Sequence, residues 1–191
     1  MGNLFGFPEP PIEPRSSTER GAAYSVKIIP HNRQMLKEAR EWASSVGGIK
    51  NSITKGEGNI AGRLGELAVS KYLGVPIEDA VDYDLIHKGE KLEVKTIRRS
   101  VPPKPSYAAN VSISSAHQSP DRYVFVSIEY DKRVKGKYVK LLNVWLCGDK
   151  GAEEYMEQAY LEKRGKTNPF TGFVALRDQY GLDIKYLDQS F

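Results

Sequence analysis

Three side chains able to do chemistry sit close together in residues 82–100, DYDLIHKGEKLEVKTIRRS: Asp84, Glu93 and Lys95. Side chains alternate faces along a strand, so in KLEVKTI the pair Glu93 and Lys95 share one face and Leu92 and Val94 the other. A hairpin closed symmetrically around Lys88-Gly89 pairs His87 with Glu90 and Leu85 with Leu92, which sets Asp84 opposite Glu93. Cross-strand neighbours of this kind have Cβ atoms about 5 Å apart; a one-residue bulge would spoil the register. Two carboxylates at that distance repel each other. A hard divalent cation removes the conflict, since Mg²⁺ takes oxygen ligands, commonly one or two carboxylates with waters and a substrate phosphate. Lys95, on the same face, can orient or deprotonate a water and offset charge on a pentavalent phosphate. The set is what hydrolysis of a phosphodiester needs. The plainer alternative is a solvated hairpin face on which Lys95 pairs with Glu93 or Asp84.

The elements that must position these groups are legible from periodicity. YSVKIIP reads as a short strand. NRQMLKEAREWASSVG reads as a helix with Met35, Leu36, Ala39, Trp42 and Ala43 at near-helical spacing, stopped by Gly47 and Gly48. GEGNIAGRLGELAVSKYLG reads as a second helix. Ile60, Leu64, Leu67 and Ala68 form its apolar stripe, Asn59, Gly62, Arg63, Glu66 and Ser70 its small and polar face, and Gly74 its C-terminal cap. Gly62 and Gly65 would let this helix approach a neighbour closely. Two strands follow, DYDLIH and KLEVKTI, then a proline-rich break, VPPKP, and a strand, AANVSIS. SAHQSPDR reads as a turn or short helix. YVFVSIEY is a nearly continuous apolar run, as in a strand buried on both faces. YVKLLNVWLCG reads as a strand and GAEEYMEQAYLEK as a helix. The tail, TGFVALRDQYGLDIKYLDQSF, reads as short strands and a closing segment.

Composition narrows the class. The 191 residues suffice for one domain with a real core. The 40% hydrophobic and 27% charged content is a globular balance, and the net charge of +4 permits an anionic partner. Cys147 is the only cysteine, which excludes an internal disulfide and a Cys-rich zinc site and fits a reducing compartment such as a cytosol. No apolar run of about 18 residues occurs, so no membrane-spanning helix is expected, and the N-terminus lacks the pattern of a signal peptide. MGNLFG has Gly6 where an acylation site wants Ser or Thr. Residues 1–20 carry four prolines and no periodicity and read as a flexible arm, with residues 21–191 as a single domain. The arm's acids Glu9, Glu13 and Glu19 outnumber its bases Arg15 and Arg20, so the rest of the chain is more basic than the whole.

The pieces GRLGELAVSKYLG, YDL and LEVKT together resemble the PD-(D/E)xK, or restriction-endonuclease-like, nuclease superfamily. They span roughly residues 56 to 130. The first is similar to the family's leading helix, whose acidic residue is here Glu66. The second supplies the metal-binding aspartate, Asp84. The third is the acid-x-lysine signature, Glu93-Val94-Lys95. The resemblance implies an α/β chain of the α+β kind with a mixed sheet: an αβββαβ core with an added N-terminal helix and C-terminal additions. It implies Mg²⁺-dependent cleavage of DNA by an endonuclease, with Mn²⁺ able to substitute. Asp84, Glu93, Glu66 and the Val94 carbonyl would hold the metal, and Lys95 would activate the attacking water. Tyr83 stands where the family often has proline. The first core strand is not placed by the sequence, and the proline insertion after Lys95 is unusual. Restriction, repair, junction-resolving and phage nucleases all remain open.

Further residues are candidates for the nucleic acid. Arg98, Arg99, Lys104 and Arg63 offer positive charge, as do Lys132 and Arg133 of the basic stretch DKRVKGKYVK. Gln118 is a candidate for the polar residue that several family members carry after the lysine strand. Ser112, Ser114 and Ser115 could touch phosphate or simply edge a strand. His117, in a polar turn, reads as solvated or structural, and His31 and His87 lack partners at zinc spacing. LEKRGK reads as basic surface or a solvated turn. Two rivals to a nuclease stand: a non-cleaving nucleic-acid-binding module of the same fold, and an unrelated α/β protein whose hairpin mimics the site. DNA and RNA are not separated, since no reader of a 2′-hydroxyl can be named. Symmetrical cutting of both strands of a duplex would favour a homodimer.

Overall fold

Two antiparallel pairings flank one parallel pairing, and the parallel one carries the Glu93-Val94-Lys95 strand. The computed structural model describes residues 25–46, 57–78, 80–115, 118–131, 140–167, 172 and 174–191. The arm of residues 1–20, the helix stop at Gly47 and Gly48, and His117, Lys132 and Arg133 lie outside the described residues. The elements run β1 (Lys27–Ile28), α1 (Arg33–Ser45), α2 (Glu57–Leu73), β2 (Leu85–His87), β3 (Glu90–Arg99), β4 (Ala108–Ser112), β5 (Arg122–Tyr130), β6 (Leu141–Gly151), α3 (Ala152–Gln158), β7 (Tyr160–Glu162) and β8 (Gln179–Asp183). The larger sheet is mixed, in the order β1-β6-β5-β3-β2, and a smaller antiparallel sheet has the order β4-β8-β7. The chain is thus an α+β protein with a mixed sheet.

The larger sheet is covered on both faces, and β5 shows why its sequence is a nearly continuous apolar run. Val124, Val126 and Ile128 pack with Met35 and Ala39 of α1 and with Ala61, Leu64, Ala68 and Val69 of α2. Tyr123 and Phe125, on the opposite face, pack with Ala109, Val111 and Leu182 of the smaller sheet and with Tyr155 of α3. Alternation along a strand then favours apolar side chains on both faces, and the buried Glu129 is an exception held by Asn143 and Trp145. The Tyr155 hydroxyl lies 2.8 Å from the Ala109 carbonyl and 2.9 Å from the Tyr180 carbonyl, tying α3 to both strands beneath it.

Local chemistry sets the helix ends. The Asn32 side chain accepts a hydrogen bond from the Met35 N–H at 2.9 Å and caps α1. Gly74, at φ 71°, ends α2 in the left-handed conformation while its N–H donates to the Ser70 carbonyl. Of the two glycines expected to permit close approach, Gly65 does so. A Cβ there would overlap Thr96 Oγ1 and stand 3.2 Å from Thr96 Cβ. At Gly62 a Cβ would meet only Glu66 Oε1, at 3.8 Å.

Two sequence expectations change. GAEEYMEQAYLEK is not one helix: α3 ends at Gln158, and Tyr160–Glu162 pair with Gln179–Gly181 as the strand β7. Its composition favours helix, but the open edge of β8 recruits the last residues, a case of tertiary pairing overriding propensity. DYDLIH contributes only Leu85–His87 as strand. The crossover from β3 to the parallel strand β5 contains β4 and a 3₁₀ turn, Ile113–Ser115, with no α-helix among the described residues.

The α2–β3 contact generates a stability prediction. Gly65→Ala should cost about 1–3 kcal/mol through overpacking against Thr96. Thr96→Ala added to it should return most of that loss. Urea unfolding of both variants beside the parent checks this; equal midpoints for Gly65→Ala and the parent would show that the helix does not sit on Thr96.

Candidate active site

The hairpin closes as its sequence requires. Lys88 and Gly89 both have positive φ, 51° and 85°, as a tight two-residue turn demands. The register is Leu85↔Leu92, Ile86↔Lys91 and His87↔Glu90. The ladder stops at Leu85, so from Glu93 onward the edge of β3 facing away from β5 has no strand partner among the described residues.

Asp84 fills the first place on that open edge. Its N–H donates to the Leu92 carbonyl at 2.9 Å, and its Oδ2 accepts the Val94 N–H at 2.7 Å. The N–H and C=O of one strand residue point to the same edge, so the Val94 carbonyl faces the Asp84 side. Burial pushes the Asp84 pKa up from 3.8 to about 8, and the charges of Glu66 and Glu93 push in the same direction; the Val94 N–H and Lys95 pull against them. The carboxyl therefore sits where negative charge is already in excess.

Glu93 and Lys95 share a face of β3 and form an ion pair, Nζ to Oε1 at 2.7 Å, with both side chains almost buried. Lys95 Nζ also donates to Gln118 Oε1 at 3.0 Å. Gln118 Nε2 in turn donates to the Val81 carbonyl at 2.9 Å, which fixes the amide with its oxygen toward the lysine. Tyr123 lies beneath, its ring centroid 6.0 Å from Lys95 Nζ, and burial beside Glu93 raises its hydroxyl pKa. The sequence pointed to Gln118 only as a polar residue after the lysine strand; it touches the lysine itself.

Glu66 projects from α2 and is held by Arg63, whose guanidinium lies 3.0 Å from Glu66 Oε2 and 4.9 Å over the ring of Trp42. Arg63 is thus turned toward the carboxylate site. Its spacing of three residues before Glu66 on one helix was the available signal. Among the other basic candidates, Arg98 lines a groove that begins at Lys95. Arg99 donates to the Ala108 carbonyl at 3.1 Å and stacks on Tyr107 at 4.5 Å, bracing β4 against β3. Lys104 is exposed, with its Nζ 5.9 Å from the same ring. Lys163, Arg164 and Lys166 of LEKRGK lie on an exposed turn.

Among the described residues no group of three or more His, Cys, Asp or Glu side chains is arranged to hold a metal ion. The donors at hand are two carboxylates and a backbone carbonyl. Asp84 Oδ1 and Glu93 Oε2 take no hydrogen bond among the described residues, and the Val94 carbonyl faces the Asp84 side. That set fits Mg²⁺, which completes a small number of protein oxygens with water, better than a cation requiring an all-protein cage. A cation here would also relieve the charge excess at Asp84.

No family model matches the chain, and no curated protein matches it. No helix among the described residues is long and apolar enough to cross a membrane.

Because the folded pKa of Asp84 is raised, the stability carried by its neutral form is full below pH 4 and is lost as pH rises through 8. Asp84→Asn keeps an acceptor for the Val94 N–H and removes the titration. It should gain on the parent by up to about 1.4 kcal/mol per pH unit across that window. Mg²⁺ should raise the melting temperature of the parent more at pH 8 than at pH 6, and leave the variant unmoved. Parallel stability–pH profiles for the two proteins would remove this reading of Asp84.

Proposed function

We propose that the protein is a metal-dependent nuclease of the restriction-endonuclease-like kind, hydrolysing phosphodiester bonds in DNA with Mg²⁺, and with Mn²⁺ as a substitute. One observation carries the proposal: Asp84, half-buried against the Val94 N–H, adjoins the buried Glu93 and Lys95, which are themselves ion-paired. A solvated hairpin face has no reason to draw these two carboxylates together beside Glu66. The fold lends support: α2 packs on β3, the β2–β3 hairpin carries the acids, and a parallel strand, β5, follows. In this reading the first strand of the meander is reduced to the single bridge between Ile77 and Leu85, and β4 with its 3₁₀ turn stands where the family has a helix.

Asp84, Glu93 and the Val94 carbonyl would hold the metal, with Glu66 reaching it directly or through water. Bound Mg²⁺ would supply Lewis-acid polarisation of the phosphodiester and acidify a nearby water. The chain's own residues do the rest. Glu93 and Gln118 fix Lys95 Nζ by two hydrogen bonds, so the ammonium meets the attacking water or the phosphate charge without reorganising. Tyr123 and Phe125 keep bulk water from beneath it. Arg63 and Trp42 hold Glu66 at the helix surface facing the site.

Labelled single-stranded, duplex and branched DNAs, incubated with Mg²⁺, Mn²⁺ or chelator, test the proposal. Lys95→Ala and Glu93→Gln should each lower metal-dependent cleavage by about a hundredfold or more. Salt-sensitive DNA binding with no cleavage of any substrate would instead favour a binding module. Cleavage that Lys95→Ala leaves intact would remove these residues from the reaction.

A further inference from the structure

Resting on that reading of the site, we infer that the groove leading away from Lys95 binds one unpaired DNA strand, so the substrate is single-stranded or frayed at the cut. The groove has a volume of about 480 Å³ and runs between the open edge of β3 and the smaller sheet. Lys95 stands at one end, and Arg98, Asn110, Ser112, Tyr130 and Arg177 line its length. A second hollow of about 320 Å³ continues it, sharing Arg98, Asn110 and Tyr130 and adding Tyr107 and Glu162.

Its size favours one strand over two. A cleft of about 480 Å³ is on the scale that takes one small ligand, so an unpaired base with its phosphate fits it, whereas a base pair stacked in a duplex does not. The lining suits such a strand. Arg177 and the Ser112 and Ser115 hydroxyls line the section that holds Lys95, and Arg98 lines both sections, a set that could follow phosphates toward the site. Tyr130, on both sections of the groove, offers a ring for a base to stack on. Asn110 Oδ1 is buried and has no hydrogen-bond partner, an acceptor that the exocyclic amino group of a base would satisfy. Among the described lining residues the one acid is Glu162, which lines the second section and not the section that holds Lys95, and which accepts a hydrogen bond from Gln179 Nε2 at 2.6 Å.

The test is anisotropy binding of a short labelled single strand of mixed sequence and of the matching blunt duplex, in chelator so that nothing is cut. The single strand should bind at least about tenfold more tightly than the duplex. Tyr130→Ala and Arg177→Ala should each weaken single-strand binding by about tenfold, and Tyr130→Phe should retain it. Arg177→Ala should also reduce the slope of log affinity on log salt by about 0.7, the loss of one phosphate contact. Arg177 is exposed, so that variant tests the groove without risk to the fold. Tighter duplex binding, or unchanged single-strand affinity in both alanine variants, overturns the groove. Metal-dependent cleavage lost in Lys95→Ala alongside either of those results would leave the nuclease reading standing and the groove refuted. Groove-dependent binding without any cleavage would do the reverse.

Discussion

A single N–H on an uncovered strand edge organises this corner of the molecule. Beyond Leu92 no strand among the described residues continues the ladder on that side of β3, and without Asp84 the Val94 N–H would face solvent or go unpaired. The Asp84 carboxylate takes it, and in doing so is drawn out of water and toward Glu93 and Glu66. The hydrogen bond favours the charge, while burial and the neighbouring acids oppose it more strongly. The outcome is a carboxyl whose pKa lies well above the usual carboxylate range. The raised pKa of Asp84 is therefore a by-product of where the hairpin stops.

The hairpin register was legible because it depends on local facts: period-two alternation, a Lys-Gly turn that accepts positive φ, and leucines that must share a face. The helix α2 was legible from its stripe and from Gly74. The contacts of Lys95 were only half legible. Glu93, two residues away on one strand, had to be its neighbour; Gln118 arrives through a 23-residue excursion whose path no periodicity encodes. Arg177, Asn110 and Tyr130 gave no local signal either, since what makes them neighbours is the pairing of β4 with β8 and the packing of that sheet against β3. The misread stretch after Gln158 has the same origin: Tyr160–Glu162 are strand because β8 lies beside them.

The two faces of the larger sheet divide the labour. On the helix side, Thr96 and Gly65 bring α2 close enough for Glu66 to act on Asp84 across the edge of the sheet. On the other side, the smaller sheet supplies the outer wall beyond Lys95. Arg99, stacked on Tyr107 and bonded to β4, braces the two walls, a role for a cation that charge alone would have assigned to DNA.

The parallel pairing of β3 with β5 has a consequence for how the protein reaches its working form. Antiparallel strands can meet through a tight turn, and β2 with β3 do so across two residues. Parallel strands cannot pair until the chain between them has doubled back, here through residues 100–121, with the loop-closure entropy that entails. Asp84 and Val94 can thus meet early, in a nascent hairpin. Gln118 and Tyr123 reach Lys95 only when the slow, non-local half of the sheet has formed. Assembly of the lysine's surroundings is tied to a late, long-range step of folding, so a chain caught partway would carry the Asp84–Val94 contact without the Gln118 bond that holds Lys95.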